Sequence, residues 1–339
     1  METFRVSAHT KAIICGEHSV VYGGWAISSP LERKKEGIVT AELSEEGRII
    51  VDDVVGSGFV TSEMETGAED RTFLPKEKLI THILDELKIQ EFSKKITVDL
   101  SKSMVPKGTG GSAATALCIA KALYRAFGIK PATEQLFNAI QVFEEVAHGG
   151  KPSGIDARTV ISEKPLKFRK EFLKNGTVKY EFEEKNLKLP EGACLLLVNT
   201  LKKGETAETT LELLEKFAKN NRIRKKPAEL TETERKKITE PFNRLVSEME
   251  KEMKSNGNAE KLGKLFSENH ALLKDAGVSS NGIEEAIGIC LSNDALGAKI
   301  TGAGGRGGAV LALINCKDEK KITEALKGKG FESVKEELV

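Results

Sequence analysis

The first fifty residues alternate short apolar runs with polar ones: FRVSA, AIICG, GIVTAEL and RIIVDDVV. A period of two marks half-buried strands joined by turns, so the chain is expected to begin β-rich. The period changes at 76 to 88, where KEKLITHILDELK places Leu79, Ile80, Ile83, Leu84 and Leu87 on one helical face; KKITVDLS, at 94 to 101, returns to alternation. Next stands VPKGTGGSAATALCIAKAL, 105 to 123. Its glycine-rich turn opens directly into helical spacing through Ala113, Ala116, Leu117, Ala120, Leu123, Tyr124 and Phe127, and Gly128 supplies the stop. A second helix is expected at 134 to 147, with Leu136, Phe137, Ile140, Phe143 and Ala147 inward, ended by GGKPSG.

Residues 163 to 190 read as two charged, alternating strands around an Asn-Gly turn, and mark the exit from a first domain expected to span 1–190. ACLLLVNT opens a second domain, 191–339, as a buried strand, with helices to follow at about 205 to 220, 231 to 256 and 259 to 275. GAKITGAGGRGGAVLALINC reads strand, glycine turn, strand; a short charged helix and a last strand complete the chain. Near the start, SAHTKAIICGEHSVVYGG reads as a strand bearing Lys11 that runs through Gly16-Glu17-His18 into a second apolar strand. The fold class expected is α+β.

Composition narrows the function. The 339 residues have length for two ordinary domains or one large one, and 39% hydrophobic content is enough to build real cores. Lys plus Arg total 52 against 51 for Asp plus Glu, and a net charge of +1 offers no general field to nucleic acid or membrane, so an anion must be met locally. The start lacks a signal-peptide pattern and no run of roughly eighteen apolar residues occurs, which leads to the expectation of a cytoplasmic protein. The five cysteines are scattered through apolar segments and are expected to act as small buried hydrophobes, without disulfide or zinc roles.

Glycines at a helix mouth leave backbone N–H groups able to hold an anion. By itself GTGGSAA is equally well explained by tight packing of strand against helix, and neither GxGxxG nor GxxxxGK[ST] fits it. Its company decides the reading. SAHTKAIICGEHSVVYGG at 7 to 24, EEVAHGGKPSGID at 144 to 156 and KITGAGGRGG at 299 to 308 stand in order along the chain. Together the four segments resemble the GHMP small-molecule kinases, named for galacto-, homoserine, mevalonate and phosphomevalonate kinases. GEHSVVYGG and PSGID are similar to the mevalonate kinase branch.

The resemblance implies an N-terminal domain like ribosomal S5 domain 2, a ferredoxin-like C-terminal domain, ATP and Mg2+ as cofactors, and mevalonate as acceptor. A homodimer is left open. By match to the family motifs, Pro106, Lys107, Gly108, Thr109, Gly110, Gly111, Ser112 and Ala113 would cradle the ATP phosphates, and Ser112 and Glu144 would hold the metal. Asp156 would meet the acceptor hydroxyl and Lys11 would stabilise the transferred charge. Glu17, His18, Thr206, Gly302, Ala303 and Gly304 would surround the substrate, the last three on a closing glycine turn. His9, His82 and His270 carry no expected role, and His148 reads as a turn residue.

Three departures bear on this. His9-Thr10-Lys11 stands where the family usually has Pro-Gly-Lys, Gly111-Ser112 where it has two serines, and Gly305-Arg306-Gly307 where it has an unbroken glycine run. Arg306 could fork onto a further phosphate or carboxylate, which keeps phosphomevalonate kinase, or another small-molecule kinase of the family, as an alternative. A ligand sensor that has kept the fold without turnover is another.

Overall fold

A computed structural model describes the chain except residues 69, 151, 174–176, 203 and 255–256. The chain sorts into two compact units. The first comprises Met1–Thr10, Arg33–Pro106 and Gly110–Ile161; the second comprises Lys11–Glu32, Lys107–Thr109 and Ser162–Val339.

The opening alternation forms longer strands than its pattern suggests. Strand β1 (Glu2–Cys15) joins FRVSA and AIIC: Phe4, Val6 and Ala8 are buried alternately, and from Thr10 every residue is buried. Loss of alternation there reflects cover on both faces, which reads in sequence as a break. Strand β2 (Ala26–Leu43) pairs with β1 and carries a charged middle; residues 26 to 28 pair with β7 (Leu166–Phe172) and residues 38 to 43 with β6 (Lys94–Leu100). SVVY is not the second strand expected: Ser19–Tyr22 form a 3-10 turn. Left-handed backbone at Gly16, His18 and Gly23 turns the chain too sharply for an extended run.

In the first unit, β3 (Arg48–Asp53), β4 (Gly58–Thr61) and β5 (Thr66–Ala68) extend the sheet in the order β5-β4-β3-β6-β2, with β3 and β6 parallel and the other pairs antiparallel. Helices α1 (Leu74–Glu86), α2 (Gly111–Ala126), α3 (Thr133–His148) and α4 (Ile155–Ile161) pack together over it. Residues 113 to 120 of α2 are buried on every side, which explains their small and apolar character.

In the second unit, β7 and β8 (Val178–Glu184) form the charged hairpin, whose Asn175-Gly176 turn lies outside the described residues. A four-stranded antiparallel sheet has the order β10-β11-β9-β12, from β9 (Ala193–Asn199), β10 (Gly297–Thr301), β11 (Ala309–Asn315) and β12 (Glu332–Glu336). Along β9, Leu195 and Leu197 face α6 (Glu232–Lys254) and α7 (Ala259–Asp275), while Leu196 and Val198 face α5 (Thr210–Asn220), α8 (Asn281–Ser292) and α9 (Glu319–Lys327). Cover on both faces makes LLLV a continuous apolar run, each buried leucine contributing about 1.5–3 kcal/mol over exposure.

Helix α5 begins five residues later than expected because Thr209 caps it, accepting from the Glu212 N–H while the Glu212 carboxylate accepts from the Thr209 N–H. Helix α8 went unforeseen; Gly282 and Gly288 weaken its helical signal, and Ser280 caps it. The cysteine reading needs one correction. Cys15, Cys118 and Cys290 are buried free thiols, but Cys194 and Cys316 are disulfide-bonded, with Cα atoms 5.2 Å apart. They lie 122 residues apart and become neighbours only through the β9–β11 ladder, which pairs Cys194 with Ile314.

Candidate active site

The candidate residues fall into two sets, one in each unit. In the first, α2 starts at Gly111 behind Gly110, which is left-handed (φ 66°) and has no side chain to cap the helix. Helix geometry leaves the N–H groups of Gly111, Ser112 and Ala113 without intrahelical acceptors, and the dipole there favours negative charge. Gly111 stands where the family has serine, and Val105 accounts for it: a Cβ on Gly111 would lie 2.7 Å from the Val105 Cγ2 methyl.

Ser112 Oγ donates to Glu144 Oε1 at 2.6 Å. Glu144, near the end of α3, is buried, and its other oxygen lies 3.2 Å from His148 Nε2. His148 itself is 3.5 Å from Ser112 Oγ. A carboxylate buried at a helix C-terminus, beside a hydroxyl and an imidazole, is poorly compensated. Hard oxygen donors in this setting fit Mg2+. The turn role given to His148 therefore misses its contact with Glu144 one helical turn earlier, a spacing of four that is visible in sequence.

Asp156 lies in the first turn of α4, directly after left-handed Gly154 and Ile155, where the helix end favours its charge. Helix α4 packs on both α2 and α3. Its anchor is Arg158, buried, which forks onto Glu134 at 2.9 and 3.0 Å and lies over the Phe137 ring. Ser112, Glu144 and Asp156 thus stand on three mutually packed helices.

In the second unit, the Lys11 N–H donates to the Thr109 carbonyl at 2.8 Å, so the lysine strand holds the middle of the glycine loop. Gly108 is left-handed (φ 84°), and a Cβ there would lie 2.4 Å from that of Ala309. The glycine turn at 302 to 308 approaches the same loop: a Cβ on Gly302 would sit 4.0 Å from the Gly108 carbonyl oxygen.

His18 is buried in left-handed conformation (φ 57°) and stacked on Phe217 with ring centroids 5.2 Å apart. Its Nε2 lies 2.8 Å from the Ala303 carbonyl, which requires the proton on Nε2 and leaves Nδ1 as an acceptor; no described residue bonds Nδ1. Burial pushes its pKa down to about 4. Glu17, expected beside the substrate, faces inward instead, paired with Lys299 and bonded by Asn269.

Thr206 is held to the glycine turn through its carbonyl, which accepts from Arg306 Nε at 2.7 Å, while the Arg306 N–H donates to Glu208. Phe217 and Asn269 carry no local sequence signal; both reach the site only through packing of α5 and α7.

Comparison with known proteins identifies the family. The model of the GHMP kinase N-terminal domain matches residues 77–163, and that of the GHMP kinase C-terminal domain matches 245–332. A mevalonate kinase of Pyrococcus horikoshii is 30% identical, covering 95% of this chain and 91% of the relative. The chain belongs to the GHMP kinase family. Among solved GHMP kinases, the L. major mevalonate kinase in complex with R-mevalonate superposes with a TM-score of 0.74 at 23% identity, covering 97% of this chain and 92% of the other. A Lactococcus lactis galactokinase complexed with galactose gives 0.73 at 19%, covering 99% and 94%. Two GHMP kinases of different substrate thus superpose equally well, so backbone shape does not choose the acceptor.

Proposed function

We propose that this GHMP kinase transfers the γ-phosphoryl group of ATP to the 5-hydroxyl of mevalonate, giving 5-phosphomevalonate and ADP. The observation that carries the reading is the Ser112–Glu144 hydrogen bond beside the uncapped amides at the mouth of α2, with Asp156 in the first turn of α4, a helix packed on both α2 and α3. Phosphoryl transfer needs a phosphate cradle, a metal carboxylate, an acceptor-side carboxylate and a positive charge, and these residues with Lys11 supply one of each.

The amides of residues 108 to 113 bind the phosphates, with Pro106 and Lys107 shaping the approach. Ser112 and Glu144 hold Mg2+, which when bound offsets phosphate charge. Asp156 orients the acceptor hydroxyl and takes its proton, and Lys11 stabilises charge on the transferred group. His18 Nδ1 accepts from a hydroxyl of the substrate, beside the turn carrying Gly302, Ala303 and Gly304; Thr206 lines the same side. Similarity to curated mevalonate kinases over almost the whole chain supports mevalonate as the acceptor.

Arg306 donates Nε to the Thr206 carbonyl, which leaves its two Nη groups to fork onto an anion, so the choice between mevalonate and a phosphorylated acceptor rests on the assay. The test is ADP release measured with mevalonate, phosphomevalonate, galactose and homoserine. Turnover of mevalonate alone supports the reading. Turnover of phosphomevalonate in its place overturns the acceptor, and ATP binding without any turnover overturns the kinase.

A further inference from the structure

A fully buried ion pair lies behind the acceptor side of the site, and none of its charge reaches solvent. Lys299, on β10, donates through Nζ to Glu17 Oε1, to the Ile300 carbonyl, and at 3.2 Å to the Ile13 carbonyl. Three ammonium protons meet three acceptors. The other Glu17 oxygen accepts from Asn269 Nδ2 at 3.1 Å, and Asn269 Oδ1 in turn accepts from the Cys15 thiol at 3.4 Å. The network is closed, and it joins the end of β1, helix α7 and strand β10.

Buried ion pairs of this kind are weak contributors to stability, since desolvation offsets their attraction. The position of this one suggests what it does. Glu17 immediately precedes His18, a non-glycine residue held in left-handed backbone, and Lys299 lies four residues before Ala303, whose carbonyl takes the His18 Nε2 proton. Lys299 therefore ties together both segments that set the His18 ring.

We propose that Lys299 and Asn269 are positioning residues for the acceptor: by locking Glu17 they fix the His18 ring and the direction of its Nδ1, which is buried and bonded by no described residue. This rests on the mevalonate reading above. It goes beyond that reading in giving roles to Glu17, Lys299 and Asn269, which lie outside the phosphate and metal set.

The test is the double variant Glu17→Leu/Lys299→Met, which removes both charges and strands neither, beside Asn269→Ala, which leaves the ion pair in place. The readouts are KM for mevalonate and for ATP, and the titration of the His18 ring followed by NMR. The expected result for the double variant is a KM for mevalonate raised at least tenfold, a KM for ATP within twofold of the parent, and a His18 titration moved toward ordinary histidine. Asn269→Ala shifts the same quantities in the same direction by at least threefold in KM, and carries the test if the double variant does not fold. Unchanged KM and unchanged His18 titration in whichever variant folds overturn the proposal. Should the parent fail to phosphorylate mevalonate, the proposed function falls, while the ring titration still decides the positioning claim.

Discussion

Replacing Gly108 by alanine probes the glycine loop where the structure gives the sharpest expectation. A Cβ there meets that of Ala309 at 2.4 Å, against the ~3.5–4.0 Å of an ordinary carbon contact. Ala309 cannot yield, because the β11 ladder holds it between Thr301 and Asn199. Left-handed backbone costs a non-glycine residue about 1–2 kcal/mol, and overpacking adds about 1–3 kcal/mol. Gly108→Ala should therefore lose about 2–5 kcal/mol in urea denaturation, summing those two costs. Gly128→Ala is the control: Gly128 is also left-handed (φ 74°) but has nothing within 4 Å, so only the backbone cost of about 1–2 kcal/mol applies. The loop must move in Gly108→Ala, pulling Thr109 from the Lys11 N–H, and a shift of about 1 Å in positioned groups costs on the order of a hundredfold in rate. Adding Ala309→Gly removes the clashing methyl, so the double variant should recover about 1–3 kcal/mol of coupling. Equal losses at Gly108 and Gly128, or no recovery in the double variant, would refute the reasoning.

Three further outcomes follow from the geometry. Glu144→Gln keeps the hydrogen bond from Ser112 but removes the charge, and should raise the Mg2+ concentration for half-maximal rate at least tenfold, on the order of 1.4 kcal/mol or more; an unchanged Mg2+ titration of the rate speaks against metal ligation by Glu144. His18, neutral when folded with its pKa near 4 against an ordinary 6.5, makes the unfolded chain bind more protons between those values. Stability should hold above pH 6.5 and fall by about 3 kcal/mol as the pH drops toward 4, and His18→Gln should flatten this part of a urea-denaturation profile. Cys316→Ser opens the 194–316 disulfide and should cost about 2–4 kcal/mol in the same assay; equal stability of parent and variant without reductant would remove the bridge from the account.

Much of the architecture was legible because its signals are local. The α2 stripe, the α3 stripe and the β9 run are each set by burial of contiguous residues, and the structure places them within a residue or two of their expected ends. Where the sequence misled, a residue's environment came from elsewhere in the chain. Val20 and Val21 look like a strand but turn with left-handed His18; Cys194 and Cys316 meet through a ladder; Gly282 and Gly288 hide α8. The same distinction runs through the site. Ser112, Glu144 and Asp156 sit in recognisable motifs, whereas the charge that Glu17 meets comes from Lys299, 282 residues along the chain. Motif matching alone places Glu17 beside the substrate, and its pairing with Lys299 and Asn269 is visible only in the packing.

The most direct test of the account is to incubate the protein with ATP, Mg2+ and mevalonate, identify the products by mass, and repeat with Asp156→Asn. The account predicts equal amounts of ADP and a singly phosphorylated mevalonate carrying the group on its 5-hydroxyl, with Asp156→Asn slowed at least a hundredfold while its affinity for ATP stays within twofold. Phosphorylated mevalonate formed at parental rate by Asp156→Asn, or no phosphorylated product from a parent that binds ATP, contradicts it.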